Sequence, residues 1–435
     1  MIAIEVKWPT TLLGAIAEFR NGVNYNKSSF GLGVKGVGVS DFRDYTRPKY
    51  SKLEQINPAG IVTERNILHD GDIVFVRSNG NRELIGRSLF IERPPEEVTH
   101  SAFTIRLRFT SENALPKFFA YCFRIPAIRQ ALTAYGGGTN ISNLNQNILS
   151  ALEVPSPPLP TQRKIATILS AYDDLIENNL QRIKILEEMA QNLYREWFVK
   201  CRFPGHQHAR FTNSPLGRIP DGWRVTTLGQ VSKVIPGYAF KSKDWTDAGI
   251  PVIKIKNIRP GNLIDIEQVD HVPQEILSSN HKKYWLHNGD ILIAMTGATA
   301  GKVGKLRSQK PMLLNQRVAK IEPRQYFKEF VWCTVSSPDA ELGFYALADG
   351  AAQPNMSGSQ IESSELLVPP IDLVQQFNNL VSPFLGAVDN MILWNQTLRC
   401  TRDLLLPKLI SGEADVSELD IAVPEVQIHE QGSFS

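Results

Sequence analysis

A long internal repeat constrains this chain more than any other feature. HDGDIVF at residues 69–75 returns as HNGDILI at residues 287–293, about half of the 435-residue chain away. Further matches follow in the same order along the chain: TTLLG (10–14) with TTLG (226–229), YCF (121–123) with WCT (332–334), TNIS (139–142) with PNMS (354–357), and LEVPSPPL (152–159) with LLVPPI (366–371). Ordered matches of this kind indicate duplication, so the sequence predicts two copies of one unit of about 200 residues.

Each copy begins with a globular part that mixes strands and helices. The strand-like segments are rich in β-branched and aromatic residues: GDIVFV (71–76), FTIRLRF (103–109), VIKIKNI (252–258) and GDILIAM (289–295). ALPKFFAYCFR (114–124) and its counterpart YFKEFVWCTV (326–335) are typical of short helices. The predicted fold class is therefore α+β, with two mixed α/β domains.

A long helix is predicted to follow each globular part. Apolar residues recur about every 3.5 residues, as in a coiled-coil seam, and Asn179 is a polar interruption of the kind that fixes register. The first seam is Ile165, Ile168, Tyr172, Leu175, Asn179, Ile183 (or Arg182), Leu186, Ala190, Leu193 and Trp197; the second is Leu380, Phe384, Val388, Met391, Leu398 and Leu405. A proline inside a helix costs about 3 kcal/mol, so we expect a break or kink near Ser382, before Pro383.

Two copies of one unit can pack with pseudo-twofold symmetry, as a homodimer does, and the two helices would then form an antiparallel coiled coil. The repeat and the helix pattern together predict the domain boundaries. They are a first globular domain (1–158), a first long helix (159–200), a linker and second globular domain (201–369), a second long helix (370–412) and an acidic tail (413–435).

Composition and charge favour a folded cytoplasmic protein. The net charge is only +3, but residues 301–310 carry four cations and no acid, while residues 413–435 carry six acids and no Lys or Arg. A local basic patch of this kind can bind a polyanion. The four cysteines show no disulfide or zinc spacing, which fits a reducing compartment. We expect no secretory signal and no membrane span.

The motifs that resemble catalytic signatures fail on closer reading. GLGVKG (31–36) matches a dinucleotide fingerprint but lacks the preceding strand and the acidic residue, and TGATAGKVGK (296–305) is one residue short of a phosphate-binding loop. NPAG (57–60) does not match the base-holding motif of adenine methyltransferases. The eight histidines form no metal-ligand pattern, and His69 and His287 start turns before strands. We expect no active site, no metal and no cofactor on this chain.

The sequence resembles the specificity subunit of type I restriction–modification systems. The resemblance rests on HDGDIVF and HNGDILIAMTGATAGKVG, on LEVPSPPLPTQRKIATILSAYDDLIENN with LYREWF, and on LLVPPIDLVQQF with LLLPKLISGE, and it extends from about residue 8 to about residue 413. The pattern expects a glutamine at residue 162, and Gln375 or Gln376 is the expected counterpart in the second copy.

This resemblance implies a non-catalytic, DNA-binding protein. Its globular parts would be target-recognition domains, each reading half of a split, asymmetric site in double-stranded DNA, and its helices would separate them. The implied partners are two modification subunits, which bind S-adenosylmethionine and methylate adenine, and restriction or translocase subunits where these exist.

The chemistry of DNA contact selects the candidate site residues. Arg and Asn pair with base edges, whereas lysines more often contact phosphate. The candidates lie in two glycine-rich loops and two basic segments: Lys27, Arg77, Asn79, Asn81, Arg82, Arg87, Lys241, Lys243, Thr296, Thr299, Lys302, Lys305 and Arg307.

Two other functions remain open at this stage. The first is an adaptor whose coiled coil joins two protein-binding heads; weak, salt-insensitive DNA binding would favour it. The second is a methyltransferase acting alone, which methyl transfer by the chain without partners would support.

Overall fold

The computed structural model describes residues 6–25, 29–42, 46–134, 143–277, 279–348 and 355–422. The chain forms two compact units, one of Met1–Leu175 with Leu398–Ser435 and the other of Ile176–Thr397. The boundary falls inside two long helices, so each unit combines one globular part with a segment of each helix. Within the described ranges, no helix is both long enough and apolar enough to span a bilayer.

The first copy alternates short strands and short helices before its long helix. Its strands are Thr10–Leu12 (β1), Ala17–Asn21 (β2), Phe30–Val37 (β3), Glu54–Ile56 (β4), Ile73–Val76 (β5), Ser88–Phe90 (β6), Val98–His100 (β7), Thr104–Phe109 (β8) and Glu153–Pro155 (β9). Its helices are Leu13–Ile16 (α1), Pro116–Cys122 (α2), Pro126–Ala134 (α3), Gln146–Ser150 (α4) and Leu159–Tyr194 (α5).

The second copy follows the same plan with a few extra strands. Its strands are Phe211–Ser214 (β10), Gly217–Pro220 (β11), Arg224–Thr227 (β12), Ser232–Pro236 (β13), Ile250–Ile253 (β14), Ile258–Arg259 (β15), Leu263–Ile264 (β16), Asp270–Val272 (β17), Trp285–Leu286 (β18), Ile291–Ala294 (β19), Val303–Lys305 (β20), Met312–Leu314 (β21), Val318–Pro323 (β22) and Glu365–Val368 (β23). Its helices are Leu228–Val231 (α6), Lys328–Val335 (α7), Pro338–Ala346 (α8), Gly358–Glu362 (α9) and Ile371–Ser411 (α10).

The sheet topology confirms the internal repeat. The first copy has a four-stranded antiparallel sheet in the order β2-β8-β5-β6, and the second has one in the order β13-β22-β19-β20. A second sheet pairs β3 with β4 antiparallel and with β7 parallel, and its counterpart pairs β14 with β17 antiparallel and with β21 parallel. An antiparallel pair closes each copy, β1 with β9 and β12 with β23.

The duplicated HDGD and HNGD stretches form the same turn in both copies. Asp72 accepts a hydrogen bond from the backbone N–H of His69 at 2.7 Å, and Asp290 accepts one from His287 at 2.8 Å. Gly71 and Gly289 have φ values of +87° and +93°, which an L residue rarely adopts. The histidines thus start turns as expected, but it is the aspartate side chain that caps each turn. The strand that follows, β5 or β19, is completely buried.

The two long helices run antiparallel within each unit. In the first unit, Asp173 of α5 contacts Arg402 of α10 at 2.6 Å, and Lys164 reaches the carbonyl of Ser417 at 2.5 Å. In the second unit, Asn179 contacts Asn395 at 2.9 Å. Further along the same pair, the rings of Tyr194, the last residue of α5, and Phe377 are 6.2 Å apart. Residue numbers rise on one helix as they fall on the other, so the expected antiparallel arrangement is confirmed.

The expected break near Ser382 is wrong, because α10 continues through Pro383 from Ile371 to Ser411. Phe377, Val381 and Leu385 flank the proline and are almost fully buried. Burying such side chains contributes roughly 1.5–3 kcal/mol each, which together exceeds the cost of about 3 kcal/mol for an internal proline. Packing therefore keeps the helix intact.

The buried seam differs in part from the predicted one. On α5 the seam residues Ile165, Asn179, Ile183 and Ala190 are buried as expected, and so is Trp197 in the helical turn Arg195–Val199 that directly follows α5. Leu175, however, is 44% exposed, and its neighbour Ile176 is buried instead. On α10 the shift is larger. The expected seam residue Leu380 is 50% exposed, whereas Val388 is buried as expected. Val374, Phe377, Val381 and Leu385, none of them predicted, pack into the core of the second unit.

The expected second-copy counterpart of Gln162 is also corrected. Gln162 is fully buried and bonds the backbone of Leu115, Asn113 and Pro157. Its backbone N–H donates to the carbonyl of Pro158, as that of Val374 does to Pro370, so Val374 holds the equivalent position. Gln375 is half-buried and Gln376 is exposed. A buried apolar residue has replaced the polar clamp in the second copy.

Candidate nucleic-acid interface

In the first copy, three backbone segments meet where the buried strand β5 ends. Arg77 directly follows the strand, and its N–H donates to the carbonyl of Phe103 at 2.8 Å. The N–H of Leu144 donates to the carbonyl of Arg77 at 2.9 Å, and that of Ala102 donates to Val23 at 2.7 Å. The strand end is therefore fixed on both sides by backbone hydrogen bonds.

The second copy builds the same junction at the end of β19. The N–H of Met295 donates to the carbonyl of Arg317 at 3.0 Å, and the N–H of Met356 donates to Met295 at 2.9 Å. The N–H of Gln316 donates to the carbonyl of Tyr238 at 2.9 Å. These bonds match those of the first copy one for one.

A glycine permits the close approach in each junction. A Cβ atom on Gly22 would lie 2.2 Å from the carbonyl oxygen of His100, and one on Gly237 would lie 2.2 Å from that of Asn315. Real Cβ contacts are never that short, so only glycine fits at either position. The two positions precede Val23 and Tyr238, which form matching parallel bridges to Ser101 and Asn315.

We call these junctions the strand-end edges. The first strand-end edge consists of Val23, Arg77, Phe103 and Leu144, and the second consists of Tyr238, Met295, Arg317 and Met356. The backbone hydrogen bonds are the same in both, whereas every pair of matching side chains differs. Val23, Leu144, Met295 and Met356 are buried, so the side chains that reach the surface are those of Arg77, Phe103, Tyr238 and Arg317. Phe103 is 57% exposed, and Arg317 at the matching position is exposed as well. Such a frame can present different chemistry to two different partners.

A buried turn supports the first strand-end edge. The hydroxyl of Thr104 donates to the carbonyl of Ser101 at 2.7 Å and lies 2.9 Å from Nδ1 of His100. Since that hydroxyl has only one proton and donates it to Ser101, Nδ1 of His100 supplies the hydrogen of this second bond. Burial, reinforced by the nearby cation of Arg106, lowers the pKa of His100 to about 3.

The first predicted loop lies at its strand-end edge and is shaped by its own side chains. Oδ1 of Asn79 accepts from the N–H of Asn81 at 2.7 Å, and Oδ1 of Asn81 accepts from Glu83 at 3.0 Å. Arg77 is half-buried at the start of this loop. The backbone of Arg82 begins a short 3₁₀ turn.

Arg87 sits at the far end of the same loop and is tied to the protein. Its Nε lies 3.3 Å from the carbonyl of Glu83, and one terminal nitrogen lies 3.3 Å from that of Phe42. Its guanidinium therefore helps to hold the loop in place.

Some residues of the second predicted loop lie at the second strand-end edge, and others lie in the interior. Thr296 follows Met295 and is bridged to Asn355, and Thr299 and Lys302 are half-buried beyond it. Lys305 and Arg307 lie elsewhere than the sequence led us to expect. Their side chains are 1% and 4% exposed and are paired with carboxylates of the long helices. That these two residues contact DNA stays a prediction, and the burial of their side chains argues against it.

Of the three predicted lysines in the two basic segments, two lie among the described residues. Lys241 and Lys243 are exposed, on the segment that continues from Tyr238 of the second strand-end edge. Lys27 is the corresponding residue of the first copy and lies outside the described residues.

The sequence reading missed Phe103, Tyr238 and Arg317 as candidate contact residues. FTIRLRF was recognised as a strand, but its counterpart in the second copy, RVAKIEP (317–323), was not aligned with it. That alignment pairs Phe103 with Arg317 at the exposed start of each strand. The signal was therefore present in the repeat.

A model of a known family matches both copies. The family is the type I restriction modification DNA specificity domain, and it matches residues 5–188 and 220–390. Matches to both halves agree with the repeated sheet topology.

Relatives and a solved structure show the same likeness. The MjaIX type I restriction enzyme specificity subunit of Methanocaldococcus jannaschii is 28% identical, with 71% of each chain covered. A putative MjaX specificity subunit of the same organism is 27% identical over 89% of this chain and 88% of its own. The crystal structure of a type I restriction-modification S subunit from M. genitalium covers 94% of this chain and 98% of its own, with 16% identity and a TM-score of 0.58, and shares its fold.

The family model covers far more than half of the sequence and recurs in both copies. The chain therefore belongs to the family of type I restriction modification DNA specificity proteins.

Proposed function

We propose that this chain is the non-catalytic DNA-recognition subunit of a type I restriction–modification complex. Each copy reads one half of an asymmetric, bipartite site in double-stranded DNA, and the long helices separate the two readers. One observation carries the proposal: the two strand-end edges share their backbone hydrogen bonds, but the side chains that reach the surface differ, Arg77 and Phe103 in the first and Tyr238 and Arg317 in the second. Two recognition domains that read identical half-sites would not need different side chains at these positions.

The proposed contacts lie at and beside the strand-end edges. In the first copy they are Arg77, Asn79, Asn81, Arg82 and Arg87 with the exposed ring of Phe103, and Lys27 adds a phosphate contact. In the second copy they are Thr296, Thr299, Lys302 and Arg317, with Lys241 and Lys243 on phosphate. Arginine can pair bidentately with guanine, and an exposed aromatic ring can contact a thymine methyl group.

We further propose that the helices bind two modification subunits, which carry S-adenosylmethionine, and that restriction or translocase subunits join them. A groove between α5 and α10 in the second unit supports this. It is lined by Ile185, Met391 and Trp394, and the Trp394 side chain is 66% exposed. Exposed large apolar side chains in one groove are typical of protein interfaces.

Binding of the full chain to a duplex tests the recognition step. The duplex carries the split motif that is methylated in the host, and anisotropy reports the dissociation constant. Arg317→Ala is expected to weaken binding by about tenfold, since a bidentate base contact discriminates by roughly 1–3 kcal/mol. It should also relax selectivity at one position of one half-site only.

Lys233→Ala is the matched control. Lys233 is an exposed cation on β13, towards the end of that strand opposite Tyr238, and its loss should leave binding unchanged. Equal losses in the two variants, or no loss in Arg317→Ala, would contradict the proposed edge. Binding must also weaken steeply between low and physiological salt, because phosphate contacts release counterions. Weak, salt-insensitive binding would favour the adaptor.

A further inference from the structure

A buried ionic cluster joins the second recognition domain to the long helices. Lys305 is the last residue of β20, and Arg307 follows two residues later. Nζ of Lys305 lies 3.3 Å from one carboxylate oxygen of Asp389 on α10, and Nε of Arg307 lies 3.0 Å from the other. Two cations from the globular part thus converge on one helix aspartate.

Further groups complete this cluster. A terminal nitrogen of Arg307 lies 3.4 Å from Glu187 on α5, and the side chain of Gln396 donates to the carbonyl of Arg307 at 2.9 Å. The indole ring of Trp332 lies 5.2 Å from Nζ of Lys305. Burial raises the pKa of Glu187 even beside Arg307. Both helices and one sheet therefore meet at these side chains.

The first copy has a cluster of the same kind built from other residues. Asp173 on α5 accepts from Arg124 at 2.8 Å, from the hydroxyl of Tyr121 at 2.9 Å and from Arg402 of α10 at 2.6 Å. Burial acts to raise the pKa of Asp173, but the two arginines outweigh it and hold that pKa below its usual value. A helix carboxylate again receives a cation from the globular part.

The aromatic partners of the two clusters occupy matching positions. Tyr121 and Trp332 each precede the buried cysteine of the YCF and WCT repeat. The guanidinium of Arg124 lies 5.1 Å from the Tyr121 ring, and that of Arg307 lies 5.8 Å from the Trp332 ring. The aspartates, in contrast, come from different helices. The arrangement has been kept while its charged residues changed, which indicates a requirement common to both copies.

Stability alone does not explain such clusters. Apolar side chains of similar size are often equally good or better than a buried ion pair, because desolvation offsets the attraction. What ion pairs add is direction, since a carboxylate held by two donors permits one orientation of the elements that carry them.

On the basis of the function proposed above, we propose that Asp389 and Asp173 are positioning residues. Each fixes the orientation of one recognition domain on the helices, and together they set the number of base pairs between the two half-sites. Lys305 and Arg307 then serve recognition through Asp389 and not by touching DNA.

The test is the methylation pattern directed by Asp389→Asn in the complete complex within the host. This change removes the charge and keeps the shape of the side chain. Methylation at sites with the same two half-sites but a gap altered by one base pair should rise from undetectable to roughly a tenth of the methylation at the original motif. Glu188→Gln is the matched control, since it removes an exposed helix pair with Lys184, and should keep a single gap length.

A second variant separates positioning from folding. Lys305→Met, Arg307→Met and Asp389→Leu together replace the cluster by apolar side chains, and Glu187 is exposed enough to remain. The purified variant is expected to melt near the wild-type temperature, and the complete complex that contains it should still methylate sites with altered gaps. If the variants fold but their complexes methylate sites with a single gap length, the positioning inference is wrong and the proposed function is not affected. A wild-type chain that directs no split motif would overturn the proposed function and this inference with it.

Discussion

His100 shows how one buried side chain can set the response of a whole domain to acid. Its Nδ1 proton is used by Thr104, and Nε2 has no hydrogen-bond partner among the residues that the structure describes. A second proton would place an unpaired charge in the interior beside Arg106. The folded chain therefore resists a proton that the unfolded chain accepts at its ordinary pKa of about 6.5.

The sign of the pH effect follows from this difference. Below about pH 6.5 the unfolded state binds more protons than the folded state, so the free energy of unfolding falls as the pH falls toward 3. His100→Gln should remove this dependence. Between pH 6.5 and pH 5 its free energy of unfolding in urea should fall less than that of the wild type by up to about 2 kcal/mol. His208→Gln, at an exposed position, is the control, and parallel pH profiles for all three chains would contradict the assignment.

The candidate contact residues that the sequence analysis missed were all missed for the same reason. Arg77 and Lys241 could be chosen by side-chain chemistry alone, and the structure places them at or next to the strand-end edges. Phe103 and Arg317 could not be chosen in this way, because only the backbone bonds to Arg77 and Met295 show that they are neighbours. The burial of Lys305 likewise depends on a helix more than 80 residues away.

Among the elements, the long helices carry the most specific polar contact. The side chains of Asn179 and Asn395 are each 2% exposed, and their amides are joined at 2.9 Å. Asn395 also donates to the carbonyl of Ile176 at 3.3 Å. An amide pair inside an apolar seam favours one register, since any slip leaves both groups buried without partners.

A double-mutant cycle tests this pair. Asn179→Leu leaves the side-chain oxygen of Asn395 without its donor, and Asn395→Leu leaves the side-chain nitrogen of Asn179 without its acceptor. Each change alone should lower the free energy of unfolding by about 1–3 kcal/mol. The double variant replaces both partners by apolar groups of similar size and should be more stable than either single variant. Urea unfolding supplies the four values. Asn178→Leu, on the exposed side of the same helix, is the control, and additive losses in the double variant would contradict the pairing.

The sequence predicted these helices well in extent and less well in detail. The helical spacing of the seam identified Asn179, Ile183 and Ala190 on α5, because one face of a long helix must be covered. It could not identify Asn395, since the choice of partner depends on the register of two helices that are distant in sequence. The prediction of a break near Ser382 was wrong because it rested on the low helix propensity of Pro383 without the packing of the neighbouring side chains.

For the molecule as a whole, the repeat was the most informative feature. It predicted two similar α+β domains, and the matching strand orders confirm this. It could not predict the parallel pairing of β3 with β7 or of β14 with β21, because these strands are short and some 60 residues apart. Nor could it show that two similar backbones present different edges, which is what the proposed reading of an asymmetric site depends on.

The most direct test of two independent readers is single-molecule sequencing of adenine methylation in the host genome. It compares cells with the gene, cells without it, and cells in which residues 1–150 are replaced by the matching domain of a relative. The account predicts that a split, asymmetric motif loses its methylation on deletion, and that the exchange changes one half of the motif and keeps the other. A methylation pattern that is unchanged on deletion, or an exchange that alters both halves or neither, would contradict it.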